Sequence, residues 1–251
     1  MDLDRILTLF DAEVRARPAA APGTKMERLG ALVLLTGAFN YVSSWDLRAD
    51  TVQAAVRDCA AHFRDRGEEL LWRVYDHDEP SRLSTCLADE GFDPDPSGTL
   101  MFLDLDDAPV IAPIDGAEVR RVRTLEDLDD FIQANGQAFG QEEPWQRAAF
   151  GQRLGDPDFV LFTAYAQGRA AASARLEMAA GRSFGLLFGG GVAPAYRGLG
   201  LYRALVAARA TAAKARGLRY LSIEARDTSR PILERLGFVP AVREVTWVLR
   251  P

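Results

Sequence analysis

Apolar and polar positions change their spacing several times along the chain, and each change marks an element. The opening stretch, MDLDRILTLFDAEVRARP, spaces its apolar residues as an amphipathic helix and sets acids before them, unlike a signal peptide. A helix over 51–66 ends at Gly67, followed by the strand LLWRVY, a short helix closing on Gly91-Phe92, and the apolar strand LMFLDL. Residues 107–117, DAPVIAPIDGA, read as a linker. EVRRVRT then predicts a strand. A helix over Leu125–Phe139 follows, with Thr124 as N-cap and Asp127 at its third position. A loop with Glu and Pro leads to a second helix over Pro144–Leu154. Asp158–Ala166, Arg169–Met178 and Phe184–Val192 predict three strands, and the turns Gln167-Gly168 and Ala180-Gly181-Arg182 make them an antiparallel meander. Leu201, Leu205, Ala208 and Ala212 restore helical spacing as far as Gly217. The strand Arg219–Ala225, the short helix Pro231–Leu236 and the strand Val242–Leu249 complete the series.

The two parts of the chain echo one another. RDRG ends the helix before Gly67 and KARG the one before Gly217; a strand, a short helix, Gly-Phe and an apolar strand follow in each. This pattern predicts a diverged internal duplication in an α+β chain, with domains at 1–112 and 113–251. The second is of a length to fold alone.

Composition narrows the classes. Of 251 residues, 48% are hydrophobic and 26% charged, enough apolar material for real cores. Two cysteines, Cys59 and Cys86, make neither a disulfide framework nor a zinc site. No apolar run approaches the length of a membrane span, so a cytoplasmic protein without membrane contact is expected. Adjacent acids around His77 (Asp76 to Glu79) rarely converge on one ion, and no metal is expected. The net charge of −6 argues against nucleic acid as partner. It divides unevenly: residues 1–115 hold 11 Lys+Arg and 22 Asp+Glu, the remainder 19 and 14. The basic second half suits a phosphate-bearing small molecule.

The most informative stretch is FGLLFGGGVAPAYRGLGLYRAL (184–205), an apolar strand running through Val192, Pro194 and Arg197 into a helix that begins near Gly200. Such a turn aims several backbone N–H groups at one point beside the positive end of a helix, which is an anion site. Gly189–Gly191 would loosen or bulge the strand before it.

This stretch resembles the acetyl-CoA signature of the GCN5-related N-acetyltransferases (GNAT), Gln/Arg-x-x-Gly-x-Gly/Ala. Arg197 and Gly200 match it, while Tyr202 stands where the last Gly or Ala falls. The order of elements over 117–249, including LERLGF, is similar to that family throughout. The resemblance implies a GNAT-like fold, a mixed and mostly antiparallel sheet flanked by helices, complete in the C-terminal copy and partial in the N-terminal one. It implies that acetyl-CoA is held by Gly191, Val192, Arg197, Gly198, Leu199, Gly200, Leu201 and Tyr202, with Val192 N–H as oxyanion donor. Asp227 stands where an asparagine is common. Leu233 occupies the position of a proton-donating tyrosine, so the acid moves to Thr228, Ser229 or a water, or the thiolate departs without one; Ser229 is the substitute chosen, and it also suits a helix cap. Glu177 and Glu224 lie in strands flanking the groove, and Glu177 is the favoured base. Glu142 and Glu143 are placed to collect a cationic substrate.

The first part lacks Arg-x-x-Gly. Asp46 and Asp50 occupy the approach to its helix, where Asp50 with Gln53 makes a cap and the carboxylates repel a diphosphate. It resembles the degenerate lobe of tandem acetyltransferases, with Phe39 and Tyr41, beside Asn40 and Trp45, as wall of the acceptor pocket or as packing. The expected function is N-acetyl transfer from acetyl-CoA to a small-molecule or peptide amine by direct attack in a ternary complex, in a monomer or homodimer. The alternative is a non-catalytic acyl-CoA-binding or sensor module.

Overall fold

The computed structural model describes residues 1–20, 23–109, 116–141 and 144–251. Its chain divides into two compact units whose segments interleave. Unit 1 comprises 1–101, 224–230 and 240–251, and unit 2 comprises 102–223 and 231–239. The expected boundary at 112/113 and most of the linker, 110–115, lie outside the described residues.

In unit 1 the amphipathic opening forms α1 (Leu3–Phe10), capped by the Asp2 carboxylate and continued by a π-helical turn over Asp11–Arg15. Strands β1 (Thr24–Leu29), β2 (Leu32–Gly37) and β3 (Tyr41–Trp45) form an antiparallel meander. The sequence reading leaves this stretch undivided because Leu32 to Leu35 are buried on both faces of the strand, so no alternation shows. Helix α2 (Val52–Arg64) then carries the chain to β4 (Leu70–Tyr75), which lies parallel to β3. α3 (Leu83–Asp89) and the short β5 (Asp93–Pro94) follow. One face of the sheet packs on α2 and α3 through Val56, Phe63, Trp72 and Leu87. The two cysteines are buried and free, and burial pushes the Cys59 thiol up to about 12.

The expected Asp50–Gln53 cap does not form. Thr51 is the N-cap residue, the Asp50 carboxylate lies 3.4 Å from Arg48, and the Gln53 amide donates to Glu90.

In unit 2, β8 (Phe159–Ala166), β9 (Arg169–Glu177) and β10 (Phe184–Val192) form the predicted antiparallel meander, and β7 (Ala117–Arg121) adds to it antiparallel to β8. Between β7 and β8 run α4 (Leu125–Phe139) and α5 (Trp145–Gly151). Thr124 and Asp127 make a full capping box, and Gly140 ends α4 in the left-handed conformation. Helix α6 (Leu201–Ala215) leads to β11 (Tyr220–Ala225), parallel to β10, and α7 (Arg230–Arg235) follows.

The meander, the crossover helix, the parallel strand and the short helix thus occur twice. The closing strands are exchanged: β12 (Val239–Leu249) pairs with β4 from Glu244↔Tyr75 to Leu249↔Leu70, whereas the end of β6 (Gly98–Asp104) neighbours β11. Cutting the sequence at 112/113 would therefore separate each sheet from one of its strands.

Candidate active site

The site is built on β10 of unit 2. Its pairing with β9 shifts between Phe188 and Gly191, and Gly189 sits at φ +55 in this bulge. The next two glycines make room for neighbours. A Cβ at Gly191 would stand 2.8 Å from Ala138 and from the Phe139 ring of α4. One at Gly190, on the opposite face, would meet the Tyr202 ring at 3.2 Å and the Arg209 guanidinium at 3.3 Å. The run Gly189-Gly190-Gly191 is thus a bulge with a helix close against each side.

Beyond the bulge, β10 parts from β11. Their pairing ends at Leu186↔Ser222, while β10 continues to Val192. Ala193 N–H donates to Ala171 O on the β9 side, so the alternation of the ladder turns Val192's own N–H and C=O away from β9. A short 3-10 turn over Pro194–Tyr196 follows, and Gly198 (φ +80) and Gly200 (φ +76) bend the chain into α6. The first bond of that helix runs from Ala204 N–H to Gly200 O, so the amides of Leu201 and Arg203 have no acceptor within the helix. Gly200 offers no capping side chain. Arg197 reaches back, its Nε donating to Val192 O at 3.3 Å. Gly198 and Leu199 are exposed.

Beneath the turn lies Arg209, fully buried, whose Nε donates to Leu205 O at 3.1 Å. Burial draws its guanidinium down to about 10, opposed by the Tyr202 side chain.

The glycine bulge also borders a cavity of about 290 Å³ between α4, α5 and the sheet. The rings of Phe131, Phe139, Trp145 and Phe150 line it. Asn135, Gln146 and Arg175 supply polar groups. Gln146 Nε2 donates to Asn135 Oδ1 at 3.2 Å, and Asn135 Nδ2 to Ser173 Oγ at 3.1 Å. Sequence reasoning did not single out these residues. Their signal was weak: aromatic positions in α4 and α5 look like core until the structure leaves Phe139 and Trp145 half exposed.

Gly191, Val192, Arg197, Gly198, Leu199, Gly200, Leu201 and Tyr202 come together as one turn. Glu177 does not join them. It pairs with Leu186 across the sheet and with Arg175 at 3.1 Å, whereas Val192 pairs with Ala172, five residues along β9. That separation is roughly 17 Å at strand spacing. Glu142 and Glu143 lie outside the described residues.

Four expected residues belong to unit 1. Ser229 donates its hydroxyl to Arg226 O at 3.0 Å. Asp227 is exposed beside it. Phe39 is exposed in the turn after β2, and Tyr41 lies under the Arg73 guanidinium at 5.8 Å. Asn40 and Trp45 bond within the unit: Asn40 Nδ2 donates to Glu69 O and Trp45 Nε1 to Glu79 O. Glu224, also in unit 1, accepts from Arg73 at 2.8 Å and from the Tyr75 hydroxyl at 3.0 Å.

Comparison with known proteins gives the family of the segment that carries the splayed parallel strands, the bulge and the uncapped helix start after Arg-Gly-Leu-Gly. The family model described as Acetyltransferase (GNAT) family matches residues 125–238, and this segment is a GNAT acetyltransferase domain. Solved structures extend the likeness over both units. A GCN5-related N-acetyltransferase from Kribbella flavida aligns with 100% of this chain and 96% of its own at 18% identity and a TM-score of 0.71. A tandem GNAT protein from the clavulanic acid biosynthesis pathway aligns over 92% of this chain and 84% of its own, with 18% identity and a TM-score of 0.66. A GCN5-related N-acetyltransferase from Sphaerobacter thermophilus aligns over 90% of this chain and 83% of its own, with 18% identity and a TM-score of 0.63. At these identities the likeness is one of fold. No curated protein matches the chain. Among the described residues, no helix is long and apolar enough to cross a membrane, and no three His, Cys, Asp or Glu side chains are grouped to hold a metal ion.

Proposed function

We propose that unit 2 transfers an acetyl group from acetyl-CoA to the amine of a small molecule. The observation that carries this reading is the turn at 192–203, where main-chain donors without helical acceptors gather at the start of α6 beside a strand that has parted from its neighbour. The residues fit the donor: amides of Gly198 to Leu201 and of Arg203 suit a diphosphate, and glycine at 198 and 200 removes the Cβ that would hold it off. Val192 N–H is placed to donate to an acyl oxygen as negative charge develops there. When bound, acetyl-CoA supplies an activated acyl carbon: the N–C bond forms as the C–S bond breaks, and the thiolate takes up a proton that the amine releases.

Calorimetry with acetyl-CoA tests the donor site. One molecule per chain is the expected stoichiometry, because the first part has no Arg-x-x-Gly turn and carries Asp46 and Asp50 at the approach to α2. Gly200→Glu is expected to abolish binding with the circular dichroism spectrum unchanged. Retained affinity would overturn the assignment.

A second reading, an acyl-CoA-binding module without turnover, rests on Leu233. That side chain is completely buried, so no proton donor occupies its position. Thiol release that depends on added amine separates the two readings.

A further inference from the structure

Arg209 is an unexpected side chain for its place in α6. Leu201, Leu205 and Ala213 form the buried stripe of that helix, and Arg209 falls on the same stripe, where helical spacing asks for an apolar residue. Its side chain is fully buried, and no carboxylate pairs with it among the described residues. Its bonds run to main-chain oxygens instead, from Nε to Leu205 O at 3.1 Å and from Nη1 to Arg175 O at 3.5 Å. Nη2 is buried without an acceptor among the described residues. A buried cation with no counter-charge costs stability, and an apolar side chain of similar volume commonly serves a core as well or better. Packing of the helix alone therefore does not account for arginine at this position.

Two neighbours supply the reason. Tyr202 lies two helical turns before Arg209, on the same face of α6, and stands where the signature has Gly or Ala. Gly190 faces both from the strand: a Cβ there would lie 3.2 Å from the Tyr202 ring and 3.3 Å from Arg209 Nη2. Gly190 is not at positive φ, so crowding and not backbone strain accounts for glycine at this point of β10. The half-buried Tyr202 ring thus rests on the bare backbone of β10, with the guanidinium beside it. The interaction is favourable, since the Tyr202 side chain opposes the fall that burial imposes on the Arg209 proton affinity. A phenol carries a hydroxyl that seeks a polar neighbour when it is covered. Deprived of the guanidinium, the ring has reason to turn toward water, across the amides at the start of α6.

We propose that Arg209 is a positioning residue for the donor turn: with the clearance at Gly190 it holds the Tyr202 ring down on β10, away from the main-chain donors at 198–203, and so lets this chain carry a tyrosine where the signature has a small residue. The assignment rests on reading the 192–203 turn as the acetyl-CoA site.

The test is calorimetry with acetyl-CoA on the full chain, with each substitution made in two backgrounds. Arg209→Met is expected to weaken binding about tenfold in the wild-type chain and by at most about twofold in a chain that already carries Tyr202→Ala, because no ring is then left to hold. An arginine that merely packs α6 gives the same loss in both backgrounds. Equal losses, or no loss in either, overturn the proposal. Gly190→Ala presses a methyl group on the ring from the strand side and is expected to show the same dependence on background. It carries the test should circular dichroism show that Arg209→Met does not fold. A wild-type chain that binds no acetyl-CoA overturns the donor-site reading and this assignment with it, whereas wild-type binding with equal losses overturns the assignment alone.

Discussion

Gly189, Gly190 and Gly191 are one tract in the sequence but three different requirements in the structure: a bulge at positive φ, clearance for Tyr202 and Arg209, and clearance for Phe139. The bulge was legible, because three consecutive glycines cannot sustain a regular strand. The identities of the neighbours were not, since they come from helices at either side. Gly191→Ala forces a methyl group into a backbone-anchored contact of 2.8 Å. We expect it to cost about 1–3 kcal/mol in denaturant unfolding, whereas Gly217→Ala, with open space around it, loses stability only through its positive φ. A smaller loss at 191 than at 217 would contradict this account. Glu177 teaches the complementary lesson. Its alternation with Arg175 was readable and the two do pair, but its distance from Val192 depended on strand register.

Elements were read well wherever local physics dominates. The Thr124–Asp127 capping box, the helix stops at Gly67 and Gly217, and the Ala-rich helix after Gly200 follow from side-chain capping, positive φ and helical propensity. The strands β1 to β3 escaped because buried strands lack alternation. How the end of β6 is tied was equally hidden. Asp104, nearly buried, accepts from Arg219 at 2.8 Å, and Leu105 N–H donates to Arg219 O. Burial raises the Asp104 carboxyl, but the Arg219 guanidinium and the Asp106 N–H more than offset this and hold it below its usual value. A lowered carboxyl pKa contributes stability above the unfolded value near 3.8, lost as pH falls through the folded one. Without Arg219, the Asp106 N–H remains against burial and the lowering is smaller. Arg219→Ala is therefore expected to unfold at a higher pH during acid titration, with a loss near neutrality of about 1 kcal/mol because the arginine is itself half exposed. An unchanged acid midpoint would refute the coupling.

At the scale of the molecule, the duplication is visible in sequence as repeated helix-strand-helix endings, yet the exchange of closing strands is not. Strand β12 completes the sheet of unit 1, and its Leu249 is buried in the core with Trp72 and Phe63. Deleting residues 240–251 is expected to abolish hydrogen-exchange protection of the β4 amides, although they lie at the other end of the sequence. Persistent protection there would show that β4 does not depend on β12. The charge division, with acids in the first part and bases in the second, agrees with the anion-binding role proposed for the turn in unit 2.

The sequence by itself determined the α+β class, the elements of the second part, the glycine turn before the Ala-rich helix and its resemblance to the family, because capping, period and glycine placement act over a few residues. Tertiary structure alone decided the strand exchange, the distance of Glu177 from Val192 and the aromatic cavity. These depend on register and on side chains from separate elements meeting in space, and no local pattern encodes either.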